Sequence, residues 1–157
     1  MIRISRMADY ALLVVFKMRS CEQLITLNRL CELTNLPLPT VRKLMRALTH
    51  SDVVTSVRGP RGGYKLSSQA DQISIAEIIE AIDGPIALTE CAKSNGGDCQ
   101  LASTCELKEN WNIVNRLISN ALHNVTLDAM GNMPMDVKRL KSFLIKLPNQ
   151  NQKVIKN

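Results

Sequence analysis

A mainly α-helical protein is the fold class this sequence predicts, and three observations predict it. Apolar residues recur at three- and four-residue intervals within residues 5 to 50, 74 to 83 and 106 to 125. Only two short β-prone runs, VVTSV and YKLS, break the helical pattern, and the stretch between them, RGPRGG, is made of turn residues. The last of the strongly periodic segments is also much longer than the others. The elements follow from these patterns in order.

Ser5 is placed to cap a first helix whose apolar positions are Met7, Tyr10, Ala11, Val14, Val15 and Met18. Thr26 precedes a shorter second helix, with Leu27, Leu30, Cys31 and Leu33 or Thr34 on its apolar stripe and an end near Leu36. Pro37 and Pro39 cannot continue a helix but suit the first turn of one, and Val41, Leu44, Met45 and Leu48 supply the spacing of a third. A β-hairpin follows, with RGPRGG as its turn. Ser74 then caps a fourth helix carrying Ile75, Ile78, Ile79 and Ile82, which Gly84-Pro85 stops. Helix, short helix, turn, helix and hairpin is the order of a winged helix-turn-helix, in which the third helix enters the DNA major groove and the hairpin meets the backbone or minor groove.

Residues 86 to 105 are too rich in Asn, Gly, Ser and Lys to form a regular element. From Glu106 the helical period returns: Leu107, Trp111, Val114, Leu117, Ile118, Ala121, Leu122 and Val125 recur over about five turns. A helix this long, added to a domain whose core is already assigned, needs a further surface to bury its stripe. A second copy of itself is the simplest supply, so it is read as a dimerisation helix of a homodimer. TLDAMGNM is read as a short terminal turn, Val137, Leu140, Phe143, Leu144 and Leu147 as a weaker amphipathic helix, and the final PNQNQKVIKN as frayed. The expected organisation is therefore a winged helix-turn-helix domain over 1–85, a cysteine loop over 86–105, a dimerisation helix and terminal turn over 106–133, and a basic extension over 134–157.

The charge is divided along the chain. The 157 residues carry a net +6, but residues 1 to 70 hold eleven Lys/Arg against four Asp/Glu, residues 71 to 110 two against eight, and residues 111 to 157 seven against two. A basic N-terminal half suits a polyanion, because neutralising phosphates releases counterions. Between the apolar positions of the third helix lie Thr40, Arg42, Lys43 and Arg46, and the hairpin tip offers Arg58 and Arg61. These six groups on two adjacent elements are the expected contacts to phosphates and base edges of double-stranded promoter DNA.

The apolar stretch Tyr10 to Phe16 is too short and too closely flanked by charge for a signal peptide or a membrane span, so a cytoplasmic protein with no membrane partner is expected. In a reducing compartment a loop cluster of cysteines is more often a metal or redox site than a disulfide framework, and the five cysteines here are an odd count. Cys91, Cys99 and Cys105 lie within fifteen residues, separated by seven and five. That is not the short paired spacing of a zinc finger or ribbon. Widely spaced thiols can instead wrap an iron-sulfur cluster, with zinc and a metal-free thiol switch as the alternatives, and three thiolates leave one corner for another ligand. Cys21 and Cys31 lie among apolar neighbours and are read as core or bystander residues.

SVRGPRGGYKL at 56 to 66, the three-cysteine loop downstream of it and the long Trp-containing helix ending HNVTLDAM together resemble the bacterial IscR and NsrR group of winged-helix regulators, over about residues 1 to 133. MIRISRMADYALLVV at the start and ALTECA before the loop look closest, within that group, to regulators of the SUF iron-sulfur assembly operon. The resemblance implies a homodimer on a palindromic promoter element, two crossed long helices, and one cluster per subunit near the dimer interface. It carries the ligand role onto Cys91, Cys99 and Cys105. Where the IscR subgroup has a histidine three residues after the last cysteine, this chain has Lys108, a poor ligand while protonated. NsrR-like members use an aspartate near the start of the first helix, donated by the other subunit, and Asp9 matches that position; Glu106 and Glu109 compete with it. Both cluster types stay open, with a two-iron cluster expected ahead of a four-iron one. Arg42 stands where IscR-like proteins present an acidic specificity residue, which implies a different operator.

The resemblance thus implies a transcription regulator, expected to be a repressor of SUF genes that senses an iron-sulfur cluster. The alternative is a cluster-free thiol, redox or nitric-oxide-responsive regulator of the same fold. No substrate pocket signature or acid-base pair is legible, so an enzyme is not expected.

Overall fold

A computed structural model describes residues 3–92, 99–101 and 103–131. Six α-helices and one hairpin make up the described chain: α1 Arg6–Met18, α2 Leu27–Thr34, α3 Leu38–His50, β1 Val54–Val57, β2 Gly63–Leu66, α4 Ile75–Asp83, α5 Lys108–His123 and α6 Leu127–Gly131, with a 3-10 turn at Glu90–Ala92. The weaker helix expected around Val137 to Leu147 and the basic extension from 134 lie outside the described residues.

The predicted caps form. Ser5 Oγ accepts from the Ala8 N–H at the start of α1 and donates to Asp83 Oδ1 at 2.7 Å, joining the start of α1 to the end of α4. Thr26 Oγ1 accepts from the Arg29 N–H. At α4, Ser74 and Glu77 form a reciprocal capping box, Ser74 accepting from the Glu77 N–H while the Glu77 carboxylate accepts from the Ser74 N–H. Pro39 sits in the first turn of α3, where a missing N–H costs nothing.

The core belongs to α1, α3 and α4, with Ala8, Ala11, Val14, Val15, Val41, Leu44, Met45, Leu48 and Ile78 wholly removed from solvent. On α1 the buried face includes Ala8 and Leu12 rather than Met7 and Tyr10, which are half-buried at its margin. In α2 the buried pair is Leu30 and Thr34. The Thr34 hydroxyl donates back to the Leu30 carbonyl at 2.7 Å, which lets a polar side chain occupy a core position. Asn35, in the left-handed region at φ 56°, ends α2 two residues earlier than the apolar spacing suggested and turns the chain into α3.

β1 and β2 pair antiparallel, Val54 opposite Leu66 and Val57 opposite Gly63. The turn needs its glycines: Gly59 has φ 120°, and a Cβ on Gly62 would collide with the Val57 carbonyl oxygen. Tyr64 on β2 also exchanges two backbone hydrogen bonds with Ile25, each 2.9 Å, so the hairpin is tied to the segment before α2.

The long helix differs from its sequence expectation. It stops at His123 and does not reach Val125, because the next residues are used by the N-terminal unit: the Val125 carbonyl accepts from the Ile75 N–H, and the Leu127 N–H donates to the Ile73 carbonyl at 2.8 Å. The Leu127 side chain, 1% exposed, then enters the core that α1 and α4 build. Arg19 at the end of α1 stacks on Phe16 and pairs with Asp128 at 3.4 Å, holding α6 from the other side.

Candidate nucleic-acid interface and thiol loop

α3 divides its residues cleanly. Val41, Leu44, Met45 and Leu48 are buried against α1, α2 and α4, and this leaves Arg42, Lys43 and Arg46 exposed on the opposite face with Thr40 half-buried beside them. Arg58 and Arg61 are exposed at the hairpin turn. None of these five cations is in an ion pair among the described residues; Arg29 on α2, by contrast, is paired with Glu32 at 2.8 Å. Five exposed cations on one helix face and one wing tip form a surface suited to phosphate, with no internal partner to displace before contact.

The thiol loop leaves α4 at Gly84 and enters α5 at Lys108. Cys91 lies in the 3-10 turn, its Sγ 3.2 Å from Thr89 Oγ1. Cys105 lies just before α5, where its carbonyl accepts from the Lys108 N–H. All five cysteines are free thiols and half-buried. Cys21 and Cys31 pack against the core edge, as the sequence suggested.

Asp9 is exposed in the first turn of α1. It borders two grooves, one toward α5 lined by Ile4, Ile118 and Leu122, the other toward α6 lined by Leu12, Leu13 and Met130. Glu106 is exposed beside Cys105, and Glu109 is exposed in the first turn of α5. Among the described residues, no three Cys, His, Asp or Glu side chains gather closely enough to hold a metal ion. The donor chemistry nevertheless suits an iron-sulfur cluster, since three unpaired thiols share one loop.

α5 presents its faces in an unexpected way. It buries no residue, and Trp111, Ile113, Val114 and Leu117 are 39 to 47% exposed. Its half-buried positions toward the rest of the chain include Lys108, Asn112, Asn115 and Ser119. The inward side of the helix thus mixes these polar groups with Ile118, Ala121 and Leu122, which are also half-buried, while Trp111, Val114 and Leu117 face outward.

Two ties were not legible from spacing. Asn115 hydrogen-bonds the backbone at Ile86 and Leu88, and Glu80 bridges the Ile86 N–H and, at 3.7 Å, His123 Nε2. No sequence signal marked either residue: α5 carries several asparagines, and nothing in their spacing singles out Asn115.

A helix-turn-helix with a cationic outer face, a wing and an appended long helix defines the class of winged-helix transcription regulators. The profile of the Rrf2 family, described as an iron-dependent transcriptional regulator, matches residues 4–132. The chain belongs to the Rrf2 family of transcriptional regulators, which are not enzymes. It is 34% identical over 103 residues to the HTH-type transcriptional regulator IscR of Vibrio campbellii, an alignment covering 66% of this chain and 60% of that one. With IscR of Pectobacterium carotovorum it shares 31% identity over 129 residues, covering 82% of this chain and 74% of that one. Among solved structures, CymR, the global cysteine regulator of B. subtilis, superposes with a TM-score of 0.63 at 26% identity, covering 83% of this chain and 96% of that one. IscR of T. potens matches the fold with a TM-score of 0.61 at 22% identity, covering 88% and 96%. Among the described residues no helix is long and apolar enough to cross a membrane.

Proposed function

We propose that the chain is a homodimeric, DNA-binding repressor of SUF iron-sulfur assembly genes whose affinity for its operator follows an iron-sulfur cluster held by Cys91, Cys99 and Cys105. The observation that carries this reading is the placement of the thiol loop. It springs from α4, which packs on the DNA-facing helix α3, and it ends in α5, whose exposed apolar stripe suits a second copy. A change in the loop therefore acts on the junction between the reading head and the dimer helix, and so on the separation of two recognition helices.

A bound cluster would cross-link the loop through its thiolates and make that cross-link sensitive to iron supply and oxidants. The chain's own residues supply the rest. Asp9 is the proposed fourth ligand across the dimer, a role supported by its exposure in the first turn of α1 and its position beside the groove lined by Ile118 and Leu122 of α5. A carboxylate is a weaker partner than thiolate for soft iron sites, which makes that corner the labile one. A two-iron cluster is proposed ahead of a four-iron one, which four such ligands would also suit. The SUF assignment rests on the resemblance in MIRISRMADYALLVV and ALTECA.

Anaerobically purified protein should show broad visible absorption with iron and acid-labile sulfide in stoichiometric amounts, and should select a palindromic duplex from a random pool. A colourless protein that takes up neither element on reconstitution would contradict the cluster. It would favour a metal-free thiol regulator on the same frame, a reading supported by the ungathered thiols of the single chain. Sedimentation at micromolar concentration should give the mass of two chains; the mass of one would contradict burial of the Trp111, Val114 and Leu117 stripe.

A further inference from the structure

We propose that Asn115 is a positioning residue that fixes the first thiol of the loop, Cys91, against the long helix. The inference rests on the reading of the loop as a ligand loop and deepens it. Asn115 Oδ1 accepts from the Leu88 N–H at 2.9 Å, and its Nδ2 donates to the Ile86 carbonyl at 3.0 Å. Both bonds go to backbone groups of residues two apart in the segment between α4 and the 3-10 turn, so one side-chain amide ties that segment to α5 at two points. Only one orientation of the amide satisfies both, because one partner is a donor and the other an acceptor.

Ile86 is held on its other side as well. Its N–H donates to Glu80 Oε1 of α4 at 3.3 Å, and Glu80 Oε2 lies 3.7 Å from His123 Nε2 at the end of α5. The root of the loop is thus fastened to both helices it joins. Cys91 follows three residues after Leu88, with only Thr89 and Glu90 between, and Thr89 Oγ1 contacts its sulfur. The first thiol thus sits in a 3-10 turn that packs on α5, three residues from the anchored Leu88. Fixing one ligand before the others arrive lowers the ordering cost of closing the set.

Replacement by aspartate tests this directly. Asn115→Asp keeps the size of the side chain but puts an oxygen against the Ile86 carbonyl, losing one hydrogen bond and adding repulsion. Asn115→Ser removes both contacts without charge. Asn120→Asp, at an exposed position of the same helix, controls for the added carboxylate. After anaerobic reconstitution, bleaching of the visible bands by an iron chelator should be about tenfold faster in Asn115→Asp and Asn115→Ser than in wild type. The Asn120→Asp protein should match wild type, and far-ultraviolet circular dichroism should be the same in all four. Wild-type bleaching rates in both Asn115 variants would overturn the positioning role alone. A wild-type protein that holds no cluster would overturn the cofactor reading and this role with it.

Discussion

Cys99→Ala is expected to leave the anaerobically purified protein colourless, with iron and sulfide at less than about a tenth of the wild-type content. Three thiolates are the minimum that this loop offers, and their removal one at a time leaves two soft ligands beside carboxylates that bind such iron weakly. Cys99 is half-buried in the loop and outside the core, so the folded state should be nearly unaffected, within about 0.5 kcal/mol. That separates loss of a ligand from loss of the fold. Cys31→Ala is the comparison: Cys31 packs at the edge of the core, and its removal should retain the full spectrum. Wild-type iron and sulfide in the Cys99→Ala protein would remove this thiol from the ligand set.

The second large effect is expected at the reading helix. Arg42 is exposed on α3, on the face opposite Val41, Leu44 and Leu48. If it reads guanine through two hydrogen bonds, Arg42→Ala should cost about 1–3 kcal/mol against the selected operator, roughly 5- to 150-fold, and should relax preference at one base pair in each half-site. Arg58 at the wing tip should behave differently. Arg58→Ala should weaken selected and scrambled duplexes alike and lower the slope of log affinity against log salt by about one. Titrations of both variants on both duplexes at several salt concentrations check this. An equal loss on selected and scrambled DNA for Arg42→Ala would make it a phosphate contact and move base reading to Thr40, Lys43 or Arg46.

Much of the reading head was legible because its signals are local. Ser5, Thr26 and Ser74 each sit one residue before a helix and cap it, and the apolar spacing of α3 named its buried face correctly. What escaped the sequence depends on distant partners. α5 ends at His123 although Val125 continues its apolar spacing, because Val125 and Thr126 pair with residues 74 and 75. Leu127 looked like part of a terminal turn, yet it completes a core whose other buried residues all precede Asp83, so the winged unit and the turn after the long helix share one interior. Ile25 gave no sign that it would pair with Tyr64 and tether the wing.

The candidate site divides in the same way. The identity of the thiols and the cations could be read from residue type and spacing. Their arrangement in space could not, and among the described residues Cys91, Cys99 and Cys105 do not gather into one metal-sized group. Asn115 shows the other half of the difficulty: its role comes from meeting Ile86 and Leu88 across the fold, which no periodicity encodes.

In the proposed function the state of the thiol loop sets DNA affinity. The most direct measurement is the affinity of one selected operator duplex for cluster-loaded protein and for the same preparation stripped of iron, under anaerobic conditions across a series of salt concentrations. The two affinities should differ by at least about tenfold at every salt, a coupling of roughly 1.4 kcal/mol or more. Equal affinities for the two forms throughout the series would contradict it.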